Sequence, residues 1–150
     1  MSEPFVPADF DVPHGLATPE FRLEPLGPQH NESDYDAWSS SMEHIHSTPG
    51  WGESSWPSEM TLDENRGDLE RHADDFANRA GFTYTVLDPS DGNVIGCVYI
   101  YPLRESPQDA KVLSWVRASH ADLDAPLWQA VRDWLDRDWP FARVDYAARA

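Results

Sequence analysis

The sequence predicts a single mixed α/β domain of the α+β kind, with about five strands in a mostly antiparallel sheet and three helices against it. Three observations carry this. Hydrophobic residues recur with a period of two in some stretches and of three to four in others. The turn-forming run Pro89-Ser90-Asp91-Gly92 separates two β-branched, aromatic-rich runs. Finally, 150 residues at 40% hydrophobic content, seven Trp among them, suffice for one core and not for two full domains.

Residues 1–20 contain Pro4, Pro7, Pro13 and Pro19. Proline fixes φ and removes an N–H, which argues against helix or central strand, so this stretch is read as an arm ahead of a domain over 21–150. Its apolar beads Phe5, Val6, Phe10 and Val12 predict that the arm packs onto something. Phe21 to Leu26 alternates apolar and polar residues and stops at Gly27-Pro28, giving a first strand. Ser33 or Asp34 can cap a helix that aligns Tyr35, Trp38, Met42 and Ile45 and ends near His46. Ser47 to Glu59, with Pro49-Gly50-Trp51-Gly52 and Trp56-Pro57, is a structured loop.

Thr61 and Glu64 form a capping box for a second helix carrying Leu62, Leu69, Ala73, Phe76 and Ala80, stopped by Gly81. Phe82 to Leu87 and Val94 to Tyr101 make a β-hairpin, and Lys111 to Arg117 a fourth strand. A third helix sets Leu127, Val131, Trp134 and Leu135 in one stripe, and Phe141 to Ala147 is a last short strand. The order is β-α-α-β-β-β-α-β, without internal repeats.

Eleven Lys plus Arg against 27 Asp plus Glu give a formal charge of -16. Such a field repels phosphate backbones and anionic membranes, which argues against nucleic-acid or membrane partners and favours cationic ligands such as amines. The start Met1-Ser2-Glu3-Pro4 has no basic region before an apolar run, and no stretch approaches the roughly 20 apolar residues of a membrane span, so the protein is expected in the cytoplasm. Cys97, the single cysteine, sits in a strand and reads as a small core residue.

The hairpin from Tyr84 through Gly92 to Val98 and the strand-to-helix passage Ser114-Trp115-Val116-Arg117-Ala118 resemble the Gcn5-related N-acetyltransferase (GNAT) family, over residues 21–148. The resemblance implies acetyl-CoA or another acyl-CoA as cofactor and direct transfer to an amine. The backbone of Trp115, Val116 and Arg117 would then align the thioester. In the family a Gly-rich turn at a helix N-terminus takes the pyrophosphate. Here the matching stretch, Ala118 to Leu127, has no glycine and carries Asp122 and Asp124. A like charge ~4–8 Å away repels by roughly 2–4 kcal/mol at an effective dielectric of about 20. Asp124 followed by Pro126 reads instead as an N-cap with proline in the first turn.

The family also continues beyond the last strand, whereas this chain stops at Ala150. Part of the acceptor pocket and the usual Tyr that protonates the thiolate are therefore expected to be missing, and a sheet edge to be left for the arm or a second copy to cover, as in a homodimer.

His120, just past the fourth strand, is the candidate base, since histidine is the side chain type suited to proton transfer near neutral pH. Trp51 and Trp56 in the loop, with Tyr99 and Tyr101 on a strand face shared with Ile95 and Cys97, are the candidate acceptor walls. Glu43, His44 and His46 diverge around a helix, so no metal site is signalled, and His72 with Asp75 reads as solvated helix surface. Two functions stay open: a GNAT-like acyltransferase acting on an amine, and a non-catalytic module that has lost coenzyme and keeps an aromatic cleft for a small ligand or protein partner.

Overall fold

The structure is a computed structural model that describes residues 4–149. The strands are β1 (Leu16–Ala17), β2 (Arg22–Pro25), β3 (Phe82–Leu87), β4 (Val94–Pro102), β5 (Ala110–Val116) and β6 (Val144–Tyr146). The helices are α1 (Asn31–Ser39), α2 (Met42–His46), α3 (Leu62–Ala77) and α4 (Asp124–Asp138), with short 3-10 turns at Pro28–His30 and Ala118–Leu123. The mixed α/β architecture is the expected one, with one strand and one helix more. The six strands lie side by side in chain order, antiparallel except for the parallel pair β5 and β6.

The extra strand comes from the arm. Leu16 and Ala17 pair with Leu23 and Arg22, extending the sheet beyond β2. The rest of the arm lies on the core: Phe5 stacks on Phe82 and Phe141, and Arg79 donates to the Pro7 and Phe10 carbonyls. The arm thus packs as its apolar beads imply, but its strand pairs with the edge opposite β6, contrary to the expectation that it covers the β6 edge.

The extra helix arises because the first helix breaks at Ser40-Ser41, where Ser40 Oγ turns back to the Asp36 carbonyl, 2.7 Å away. Hydroxyls that bond their own backbone compete with helix continuation. Its start also differs from the sequence reading. His30 is the N-cap; Ser33 instead accepts from Val94 N, and Asp34 turns inward. The Thr61–Glu64 capping box forms as read, but α3 ends at Ala77, four residues before Gly81, with Arg79 at φ 59° providing the left-handed turn. Leu62 is exposed at the start of that helix.

The sheet separates two cores. Under α4 and the arm lie Phe82, Tyr84, Val98 and Ile100 with Val131, Trp134 and Trp139; under α1–α3 lie Ala37, Trp38, Ile45, Leu69, Cys97 and Trp115. Ile95 belongs to the first core although Cys97 and Tyr99 face the second. A bulge opposite Val86 and Leu87 inserts one residue and flips the alternation, correcting the face expected for Ile95. Gly96 follows it at a point where a Cβ would lie 2.4 Å from the Trp115 carbonyl oxygen.

Candidate functional site: an aromatic cavity beside a closed strand gap

Between α1, α3, β4, β5 and the 47–61 loop lies a cavity of about 360 Å³. Trp51, Trp56, Tyr99 and Tyr101 line it, with Leu26, Leu69 and Leu113 as further apolar wall. Trp51 and Trp56 have centroids 5.4 Å apart, and Tyr99 meets Trp51 edge-on at 5.5 Å. The loop is held in place by polar contacts at both ends: Tyr35 Oη donates to the Met60 carbonyl at 2.7 Å, and the Trp51 indole donates to the Ser114 carbonyl at 2.9 Å. Gly81 admits the Tyr101 ring, since a Cβ there would fall 2.1 Å from a ring carbon.

The cavity also holds polar groups on helix faces. Asn65 on α3 accepts from Trp38 Nε1 (3.1 Å) and donates to Asn31 Oδ1 (2.9 Å) and Asp34 Oδ2 (3.1 Å). Burial pushes the Asp34 carboxyl up to about 6, and the Asn65 bond offsets part of that. One turn on, His72 Nδ1 lies 2.9 Å from Tyr101 Oη and 3.0 Å from Thr83 Oγ1, while Tyr101 donates to Asp75 at 2.8 Å. Burial and the nearby Arg71 lower the His72 pKa, so its imidazole is neutral at pH 7. Asp34, Asn65 and His72 are functional candidates that sequence reading missed. The signal was present: Leu62, Asn65, Leu69, His72 and Phe76 follow one helical stripe, so two polar residues sit where apolar ones are expected.

The second feature is the gap where β5 and β6 diverge, past Val112 and Tyr146. Along β5 successive residues turn their backbone groups to alternate neighbours. Arg117 N bonds the Ile95 carbonyl, and the Trp115 carbonyl approaches Gly96, so both residues face β4. Ser114 and Val116, of the opposite parity, therefore turn their backbone groups toward the gap, and it is the Ser114 carbonyl that is engaged. It accepts from Trp51 Nε1 and from Arg149 Nη2, at 2.9 and 2.8 Å.

Arg149, whose side chain is 3% exposed, also bonds Asp124 Oδ2 at 2.8 Å at the start of α4. Tyr146 Oη and Ser114 Oγ, 2.6 Å apart, close the gap further. Asp124 does not cap α4, contrary to the sequence reading: Leu123 is the N-cap, no side chain caps the helix, and the second Asp124 oxygen is buried without a partner.

These residues fit acetyl-CoA poorly. Of the strand groups that face the gap, the Ser114 carbonyl is occupied from two sides. The helix start that would meet the pyrophosphate holds a carboxylate. Upstream, Ala118 N already donates to Ser41 Oγ and His120 N to the Arg117 carbonyl.

The four aromatic candidates are therefore brought together in one cavity. Trp115 is buried beneath it, donating from Nε1 to Tyr99 Oη at 3.0 Å, while Val116 is core and Arg117 pairs with Asp36 at 3.1 Å. His120 stands apart from the cavity, beside Ser119 and Asp88. Among the described residues no three His, Cys, Asp or Glu side chains cluster to hold a metal ion, and no helix is long and apolar enough to cross a membrane.

The single parallel pair that diverges at the end of a sheet otherwise antiparallel, with α1–α3 on one face and α4 on the other, defines the GNAT fold. Solved structures that it resembles include acetyltransferases. The chain superposes on the ribosomal-protein-S5-alanine acetyltransferase of Vibrio fischeri with a TM-score of 0.62 at 13% identity, covering 83% of this chain and 67% of that one. For the Salmonella typhimurium acetyltransferase that modifies the N-terminal serine of ribosomal protein L7/L12, the values are 0.66, 11%, 85% and 70%. For the microcin C7 self-immunity acetyltransferase MccE, solved with acetyl-CoA and AMP, they are 0.62, 13%, 83% and 66%. The chain thus spans about two thirds of their length. No protein-family model matches the sequence, and no curated protein does.

Proposed function

We propose that this chain is a GNAT-fold binding module that holds a small ligand in the aromatic cavity and keeps the coenzyme gap closed with its own side chains. The observation that carries this reading is Arg149, which bonds the gap-facing Ser114 carbonyl and the Asp124 carboxylate at once. Coenzyme would have to displace a buried ion pair and then set its phosphates against two aspartates, with no glycine turn to receive them.

A second reading, acyl transfer from acetyl-CoA to an amine, is favoured by the diverging parallel pair itself and by the acetyltransferase identity of the solved neighbours. In that reading His72, not His120, is the imidazole within reach of a cavity-bound acceptor.

Calorimetric titration with acetyl-CoA and with CoA at low salt separates the two. The module reading expects no wild-type binding tighter than about 1 mM and a gain in Asp122→Gly/Asp124→Gly. Micromolar binding by the wild type would overturn it and make acyl transfer the reading to pursue.

A further inference from the structure

We infer that the cavity holds a compact aromatic ammonium ion, its charged head on the free oxygen of Asp34 and its ring against the wall that Trp51, Trp56 and Tyr99 form together. This rests on the reading of the chain as a ligand-binding module and names the ligand class of that same cavity.

Asp34 is 4% exposed and lines the cavity. Among the described residues, its carboxyl makes one side-chain hydrogen bond, from Asn65 to Oδ2, and Oδ1 has none. A buried carboxylate in this state is costly unless a donor or cation completes it. Its neighbours are otherwise satisfied: Asn31 donates to the Leu62 carbonyl, Asn65 serves three partners, and the Trp38 indole is bonded.

Charge bookkeeping around the cavity points the same way. Asp68 is paired with Arg71 at 2.8 Å, and Lys111 with Asp145 at 3.6 Å. Nearby His30 has its ring between Glu24 Oε2 and the Gly27 N–H. Asp34 is left as the lining carboxylate with no cationic side chain in contact. An anionic ligand would meet it unfavourably; a neutral hydroxyl would satisfy the oxygen but not the charge; an ammonium does both.

The walls suit the rest of such a ligand. Trp56 contacts Trp38, Trp51, Trp115 and Tyr99 at 5.4 to 6.5 Å, centroid to centroid, so the rings make one continuous aromatic wall along the cavity. Aromatic faces attract cations and stack on flat rings, and a space of about 360 Å³ accommodates one fused ring with a short amine. Holding the amine as its ammonium also removes the lone pair that would attack a thioester. The site is therefore one of recognition rather than nucleophile activation.

The test uses a matched set of probes, tryptamine, tryptophol and indole-3-propionate, titrated calorimetrically into the whole protein. Tryptamine is expected to bind about tenfold or more tighter than tryptophol, and indole-3-propionate not to bind measurably. In Asp34→Asn, tryptamine should fall to the tryptophol level while tryptophol is unchanged; in Trp56→Ala both should weaken together.

Equal wild-type affinity for tryptamine and tryptophol overturns the inference, as does a preference that survives Asp34→Asn or a complete failure of the set to bind. If Asp34→Asn does not fold, the wild-type comparison decides alone. Acetyl-CoA binding alongside an amine preference removes the closed-gap reading and leaves the cation site standing. Neither acetyl-CoA binding nor an amine preference removes the cation site and leaves the gap closed.

Discussion

Under α4 and the arm the sheet buries Phe82, Tyr84, Val98 and Ile100 against Trp134 and Trp139, whereas under α1–α3 it buries Trp38 and Trp115 beside Asn31, Asp34 and Asn65. The first face leaves two neutral indole N–H groups, of Trp128 and Trp139, without partners. The second holds a carboxylate bonded on one oxygen. Both faces belong to one sheet, and the second contains the space lined by Trp51, Trp56, Tyr99 and Tyr101. The difference separates residues that hold the fold together from residues that cost it stability, and the latter line the proposed binding site.

The largest expected effect comes from the first face. Phe5 is 7% exposed and stacks on Phe82 and Phe141 at 5.8 and 4.9 Å. Phe5→Ala should lower unfolding stability by about 3 kcal/mol in urea. Affinity for tryptamine should not change, because the arm lies across the sheet from the cavity. A loss of affinity without a loss of stability would abolish the contrast between the faces.

The second face predicts a change of opposite sign. The Asp34 carboxyl titrates at about 6 in the folded protein against an ordinary value of 3.8. Between those values the folded chain keeps a proton that the unfolded chain has lost. Stability therefore falls as pH rises through that window, and the loss is complete above about 6. At about 1.4 kcal/mol per unit, Asp34→Asn should be more stable than wild type by roughly 3 kcal/mol at neutral pH, with the advantage nearly gone by about pH 4. Urea midpoints of both proteins at the two pH values measure this. A stabilisation that did not depend on pH would mean that the carboxylate is not strained by burial.

Much of the first face was legible in the sequence because apolar periodicity is what builds it. Val131, Trp134 and Leu135 on α4 and the hairpin strands take the buried places that spacing assigns them, while of the arm's apolar beads Phe5 and Val6 are buried and Phe10 and Val12 pack half-buried on the core. The aromatic walls Trp51, Trp56, Tyr99 and Tyr101 were legible as a group for the same reason: large rings in an irregular loop and on one strand face must meet something. The polar floor was not. Ser33 and Asp34 match an N-cap signature, and nothing local reveals that the chain begins its helix earlier and turns Asp34 toward Asn65, 31 positions away. The stripe on α3 carried the missed signal, since Asn65 and His72 interrupt it. Arg149 was invisible to motif reasoning because its partners Ser114 and Asp124 lie 35 and 25 positions off in sequence.

The gap between β5 and β6 lies where the two faces meet, and it carries the smallest expected effect. If Arg149, Asp124 and Ser114 act as one plug, the losses on removing them singly will not add. Arg149→Ala should cost about 2 kcal/mol, since it leaves Asp124 partly buried with no cation and removes a donor from the Ser114 carbonyl. Asp124→Ala should cost less, because Arg149 keeps its bonds to the Ser114 and Ala147 carbonyls. In the Arg149→Ala background, Asp124→Ala should be near neutral, giving a coupling energy of about 1 kcal/mol in a double-mutant cycle by urea unfolding. Additive losses would mean that the two side chains only happen to lie together, and the gap would then be an open coenzyme site with a displaceable arginine across it. Coupled losses would mean that the closure is built into the folded state, so that the sheet keeps the acetyltransferase shape while its own side chains take the coenzyme's place.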